Sequence, residues 1–219
     1  MSILQKPART APETAYRWLR REISALPWDQ EAFLTENAIA EASGVSRTPV
    51  RDALLRLEAA GLLRRVPHKG AYVPALSAQD IESMMEVRQV IEDWAVRKVT
   101  SLDRLGGELE LLLQQQQDSL ADPVAFIDCD ISFHKHIVHA ANNRALEEVY
   151  DSQRIKQQRM GVTAVQDSRG RSDHVVDEHR AIVEAIRSKD PLAAAVAVRS
   201  HLDSTLTVLK AIPAYGNRG

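Results

Sequence analysis

Apolar residues recur at helical spacing from the first turn of the chain. Between Pro12 and Leu26, the side chains of Tyr16, Leu19, Ile23 and Leu26 share one side of a predicted helix that Pro27 ends. From Leu34 to Val73 the pattern becomes more particular: LTENAIAEASGVSRTPVRDALLRLEAAGLLRRVPHKGAYV. Thr35 is placed to cap a short helix carrying Ile39 and Ala42. Gly44 supplies a turn in which a positive φ costs little. Ser46 is placed to cap a second helix, and Pro49 falls in its first turn, where a missing N–H is no loss. Val50, Leu54, Leu57 and Leu62 continue a buried stripe. Residues 62–66 and 71–74 then read as short strands around Pro67-His68-Lys69-Gly70. The sum is a winged helix-turn-helix, with Arg47, Thr48 and Arg51 at the exposed start of the second helix. In such motifs that end enters the major groove, so double-stranded DNA is the expected partner.

After Pro74-Ala75-Leu76 the strand signals stop. Helices are predicted from Ser77 to about Thr100 with Asp80 placed for a capping interaction, over 102–119, from the Asp122-Pro123 start to about Ala141, over 146–160, over 175–188 and over 191–212. The glutamine run Gln114 to Gln117 is expected to be solvated helix surface, and the polar stretch from Asp167 to Asp173 a mobile loop. The predicted fold is mainly α, with a winged helix over 8–75 and an all-α bundle over 77–213.

Composition adds three constraints. No apolar run approaches the roughly 20 residues of a membrane span, and MSILQKPARTAP lacks the apolar core of a signal peptide, so a cytoplasmic protein is expected. One cysteine, Cys129, excludes an intrachain disulfide and a cysteine-rich zinc finger. The net charge of −2 hides an asymmetry. Residues 1–75 carry 11 Lys and Arg against 8 Asp and Glu, and the remainder 17 against 22. The basic excess clusters in Arg47, Arg51, Arg64, Arg65 and Lys69, as a DNA-binding module requires.

The helical part carries its own chemistry. Asp130 and His134 are four apart and share a face with Ile127, Ile137, Val138 and Ala141. His179 is followed by Ile182, Val183 and Ile186 on its face, and His201 shares one with Ala194, Ala197, Val198 and Val208. Burying such groups unpaired is costly, and three histidines and an aspartate from three helices aimed at one core form a convergence a metal could use. Taken singly, a buried histidine is more often a satisfied core residue than a ligand. His136, His139 and His174 fall off these faces. Arg88 shares a face with Ile81, Met84, Ile91 and Ala95, so an inward guanidinium is expected, seeking either a bound anion or a buried acid.

GVSRTPVRDALLRLEAAGLL closely resembles the GntR-type transcription regulators, and residues 12–212 resemble their FadR-type branch, whose effector domain is the helical FCD type. The resemblance implies that Arg47 and Arg51 contact operator bases or phosphates and that Thr48 makes a phosphate or base contact. Thr35, Ser46 and Lys69 belong to the same expected DNA face, and His68 and Gly70 to the wing tip. Asn37 stands where the family often has an arginine, and it cannot make the bidentate arginine contact to guanine. DISFH, EHRAIVEAI and RSHL match the branch that binds a divalent ion, which implies Asp130, His134, His179 and His201 as ligands and Asn143 as a residue near the pocket. Three nitrogens and one oxygen suit zinc, with nickel or manganese as alternatives. Such an ion should be lost as pH falls below about 6.

The reading that results is a repressor that binds an inverted repeat as a homodimer. A small carboxylate, held by the ion and Arg88, would be its effector. Two other readings compete. A metal sensor would use the ion itself as signal. A metal-dependent hydrolase would activate water, but no general base is evident beside the four ligands, and hydrolysis gives no reason for the N-terminal motif.

Overall fold

The computed structural model describes residues 10–67 and 69–212, apart from the side chains of 154 and 155. They divide into two compact units. One comprises the chain up to Leu26 with Gln30–Ala75, and the other Pro27–Asp29 with Leu76 onward.

In the first unit, α1 (Ala11–Ala25) buries Ala15, Leu19 and Ile23, one residue per turn, while Tyr16 stays half-buried under the guanidinium of Arg56. α2 (Glu36–Ser43) is capped by Thr35, whose hydroxyl accepts from the Ala38 amide, and ends at Gly44 with φ 69°. α3 (Arg47–Ala59) buries Val50, Leu54 and Leu57 as the pattern predicts. Ser46 holds the N-cap position of α3, but its side chain makes no capping bond. The wing strands are β2 (Arg64–Val66) and β3 (Gly70–Val73). A third strand, β1 (Ala32–Leu34), was not foreseen; it pairs antiparallel with β3, so that the sheet order is β1-β3-β2. Three residues are too few for a period-two signal. The close pairing makes Gly70 obligatory: its φ is 138°, and a Cβ there would stand 2.1 Å from the Leu34 carbonyl oxygen.

The second unit is helical: α4 (Ala78–Val99), α5 (Leu105–Gln117), α6 (Pro123–Ala140), α7 (Arg144–Asp167), α8 (Arg171–Arg187) and α9 (Pro191–Ala211). Ser77 and Asp80 form the expected capping box on α4, and Asp122 and Asp190 each cap a helix beginning with proline. α7 and α8 extend beyond their predicted limits. The stretch expected to be a loop from Asp167 to Asp173 is reduced to Ser168–Gly170, because Gly170 adopts φ 77° and Arg171, buried, opens α8. α9 packs along α4 and α8, α6 against α5 and α7, and α5 against α8, which brings α6, α8 and α9 around one interior. Pro27–Asp29, expected within the winged helix, packs instead with this unit. Trp28 is buried, its amide donates to Thr163 Oγ1, and its carbonyl accepts from the Leu76 amide at 2.7 Å. Among the described residues no helix is long and apolar enough to cross a membrane.

Candidate functional site

The first unit presents a concave surface of about 700 Å³ between the starts of α2 and α3 and the wing. Thr35, Arg47, Thr48, Arg51, Lys69 and Gly70 all line it, with Asn37 and Arg65 beside them. Ser46 is exposed next to Arg47 but is not part of that lining, and His68 lies outside the described residues. Sequence reasoning overlooked Glu36. Its carboxylate accepts from Arg51 Nε at 2.9 and 3.1 Å and from Arg47 Nη2 at 3.4 Å, so one acid on α2 holds both arginines at the start of α3. Exposed pairs of this kind contribute little stability, and both guanidinium groups can exchange their carboxylate for another anion.

In the second unit, α6 places Asp130 and His134 one turn apart, α8 supplies His179 and α9 supplies His201. All four are buried, and one ligating atom from each lies within 4.8 Å of the others. His134 Nε2 is 3.1 Å from both His179 Nε2 and His201 Nε2, and His179 Nε2 is 3.4 Å from Asp130 Oδ1. Phe133 stacks flat on the His179 ring at 4.3 Å, which fixes its plane.

The opposite nitrogens are engaged. His179 Nδ1 lies 2.7 Å from Gln116 Oε1, and His201 Nδ1 lies 2.7 Å from Glu178 Oε2. His134 Nδ1 stands 2.8 Å from Glu92 Oε2, an ion-pair separation without hydrogen-bond alignment. Bonds to these acceptors put the protons of His179 and His201 on Nδ1 and leave lone pairs on Nε2. A proton on His134 Nε2 can satisfy one of the two facing lone pairs. A cation among the three nitrogens satisfies all of them, and the Asp130 carboxylate adds the negative charge. The donor set therefore fits a divalent ion of zinc or nickel type.

Gln116 was expected to be solvated with the rest of its run. It is instead fully buried, and its amide also donates to Asp130 Oδ1 at 3.4 Å. Glu92 and Glu178 were not anticipated at all. Burial alone would raise the Glu92 carboxyl, but the Arg88 guanidinium and the His134 imidazole outweigh it and hold it well below the usual carboxylate range. Burial likewise opposes ionisation of Glu178, while hydrogen bonds from His201 and Arg171 bring it down to about 2. Burial, and then the neighbouring imidazoles, push His179 well below the ordinary histidine value. Burial also lowers His201, against the hydrogen bond to Glu178.

Beside the four residues lies a cavity of about 30 Å³, lined in part by Arg88, Asp130, Gln157, Arg171, His201 and Thr205. Arg88 does face inward, but its Nε is committed to Glu92 Oε1 at 2.8 Å, the buried-acid alternative of the sequence reading. Its other guanidinium nitrogens have no protein hydrogen-bond partner among the described residues. Asn143, expected near the pocket, does not line the cavity. Its side chain caps α7 by accepting from the Leu146 amide, a local role that takes it out of the interior. His136 pairs with Glu108 and His139 with Asp151, and His174 is exposed.

Comparison with known proteins bears on both units. Residues 12–73 match the model of the bacterial regulatory proteins of the gntR family, and residues 83–204 match that of the FCD domain. A Paenarthrobacter nicotinovorans protein named "Probable D-xylose utilization operon transcriptional repressor" is 29% identical over 180 residues, covering 80% of this chain and 78% of that one. The structure of E. coli McbR/YncC superposes with a TM-score of 0.73 at 20% identity, over 93% of this chain and 98% of that one. The metal-free FCD domain of TM0439 gives 0.51 at 22% identity, over 63% of this chain and 96% of that one. The matched family model and the Paenarthrobacter relative are of regulators, not enzymes, and the hydrolase reading finds no support among them. The two matched models, set on a winged helix and a helical bundle, make this chain a member of the GntR family of bacterial transcription regulators, one that binds DNA and carries an FCD domain.

Proposed function

We propose that the chain is a repressor whose hold on its operator is set by a small carboxylate bound beside a divalent ion in the helical unit. The observation that carries this reading is the meeting of three imidazole Nε2 atoms with no donor able to serve them all, at the wall of a cavity that Arg88 also lines. Asp130, His134, His179 and His201 would hold the ion, zinc by choice of donors. When bound it supplies a Lewis-acidic centre for a carboxylate oxygen. Arg88, anchored to Glu92 through Nε, keeps its remaining guanidinium nitrogens for the effector's charge. A cavity of about 30 Å³ has room for little more than one water, so an effector enters only if the lining side chains move. That movement is the natural source of a signal.

On DNA, two winged helices related by a two-fold axis would read an inverted repeat in the cytoplasm. Arg47, Thr48 and Arg51 would face the major groove, while Thr35, Ser46, Lys69 and Gly70 lie toward the backbone and wing. The test uses the full chain loaded with zinc. Small carboxylates are screened for those that raise its melting temperature, and operator affinity is then measured with and without each hit. The expected coupling is about 5–150-fold in operator affinity, lost in Arg88→Ala even at a zinc concentration that saturates the variant, with DNA binding retained. A chain that cannot be loaded with metal, or an Arg88→Ala variant that responds normally, would refute the corresponding part of the reading.

A further inference from the structure

Arg171 is the first residue of α8, directly after the Gly170 turn, yet its side chain is 3% exposed. Burying a guanidinium is costly unless all of its donors find work. Here they do. Nη1 and Nη2 grip the two oxygens of Glu178 at 2.8 and 2.9 Å, a bidentate pair. The same nitrogens donate to Ser204 Oγ at 3.0 Å and Thr205 Oγ1 at 2.8 Å on α9. The Glu178 oxygen nearest Arg171 Nη2 is also the one that receives His201 Nδ1 at 2.7 Å. One chain of contacts thus runs from Arg171 through Glu178 to His201.

The three histidines are not held alike. His179 leans on the neutral amide of Gln116. His134 and His201 each face a carboxylate, and each carboxylate is held by an arginine that lines the cavity, Arg88 for Glu92 and Arg171 for Glu178. Without its arginine, Glu178 is a partly exposed glutamate that keeps only Ser204 and His201 as hydrogen-bond partners, with neither oxygen gripped by a bidentate donor.

We propose that Arg171 is a positioning residue for the ion. Its guanidinium clamps Glu178, Glu178 fixes the tautomer and ring orientation of His201, and ion affinity depends on the clamp although Arg171 touches none of the donor atoms. The inference rests on the metal reading above and goes beyond it in naming Arg171 and Glu178. Outer partners of ligating histidines typically alter metal affinity 10- to 100-fold. Arg171 also lines the cavity, alongside Asp130 and His201.

The test is a double-mutant cycle on the full chain, with zinc affinity measured by competition against a chromogenic chelator. Glu178→Gln and Arg171→Gln should each weaken zinc binding about 10- to 100-fold, and the double variant should be no weaker than Glu178→Gln alone. Lys210→Ala, which breaks an ion pair with Glu82 elsewhere on α9, should bind zinc as the wild type does. The visible spectrum of the Co²⁺-loaded protein should shift in Glu178→Gln and not in Lys210→Ala. If Arg171→Gln does not fold, Arg171→Lys, which keeps the charge but not the two-pronged grip on Glu178, takes its place in the cycle. A wild type that takes up zinc while Glu178→Gln and Arg171→Gln bind it equally well, or show effects that multiply, overturns the role given to Arg171. A wild type that takes up no zinc overturns the metal reading and this inference together.

Discussion

Gln116 Oε1 lies 2.7 Å from His179 Nδ1, in the interior of a unit whose sequence shows Gln116 only as the third of four consecutive glutamines. The contact decides which nitrogen of His179 carries its proton, and so which nitrogen faces His134. Gln116→Ala is expected to leave a buried N–H without an acceptor, at about 1–3 kcal/mol in stability, and to lower zinc affinity about tenfold. Gln115→Ala, one residue away on the exposed side of α5, should change neither. Thermal unfolding with and without zinc, on the two variants side by side, measures both effects.

Glu36 pairs with Arg47 and Arg51, the arginines proposed to contact the operator, and on that proposal it would compete with DNA for them. Arg47→Ala or Arg51→Ala should weaken specific binding by about 1–3 kcal/mol where the arginine reads a base. Glu36→Gln should act in the opposite sense on non-specific DNA, strengthening binding and steepening its salt dependence, with stability changed by no more than about 0.5 kcal/mol. Titrations on operator and random duplexes at several salt concentrations separate the two. Unchanged affinity in all three variants would remove this surface from consideration.

Gly70 has a structural duty alongside any contact the wing makes. Gly70→Ala meets the Leu34 carbonyl and a φ of 138° at once. Backbone strain alone costs about 1–3 kcal/mol, and the collision adds to it. The expected result is a lower unfolding temperature for the winged helix and weaker operator binding, with zinc affinity unchanged. A variant as stable as the wild type would mean that β1 and β3 can separate without cost.

The pH response follows from the direction of the histidine shifts. His179 and His201 are held below the ordinary imidazole value of about 6.5 by burial. Their contribution to the stability of the metal-free protein is therefore fully present above about pH 6.5. It is lost as pH falls toward the folded-state values, because the unfolded chain takes up protons first. The melting temperature of metal-free protein should be flat from pH 8 to about 6.5 and decline below it. Zinc should persist to a lower pH than the value near 6 expected of unperturbed histidines. A melting temperature that rises between pH 7 and 5 would contradict this assignment.

Much of this molecule is decided within a few residues of chain, and that part was legible in its sequence. Thr35, Asp80 and Asp122 act on amides two or three positions away, Gly44 turns where it stands, and the stripe of Val50, Leu54 and Leu57 needs only helical spacing to be seen. Asp130 and His134 share a face for the same reason. Arg88 and Glu92, four apart on α4, obey it too, although the sequence reading did not pair them.

The rest was settled by packing between helices, where spacing along the chain carries no information. β1 is three residues long and exists because β3 has an edge to receive it. Local propensity treats the four glutamines alike, and Gln116 alone of them is fully buried because α5 lies against α6 and α8. Glu178 is one position from His179 on α8, yet its partner is His201 on α9, and Arg171 reaches it across two turns. A buried imidazole or guanidinium must have a partner, and the sequence states that need. Which side chain meets it depends on which helix faces arrive in the same interior, and only the tertiary structure decides that.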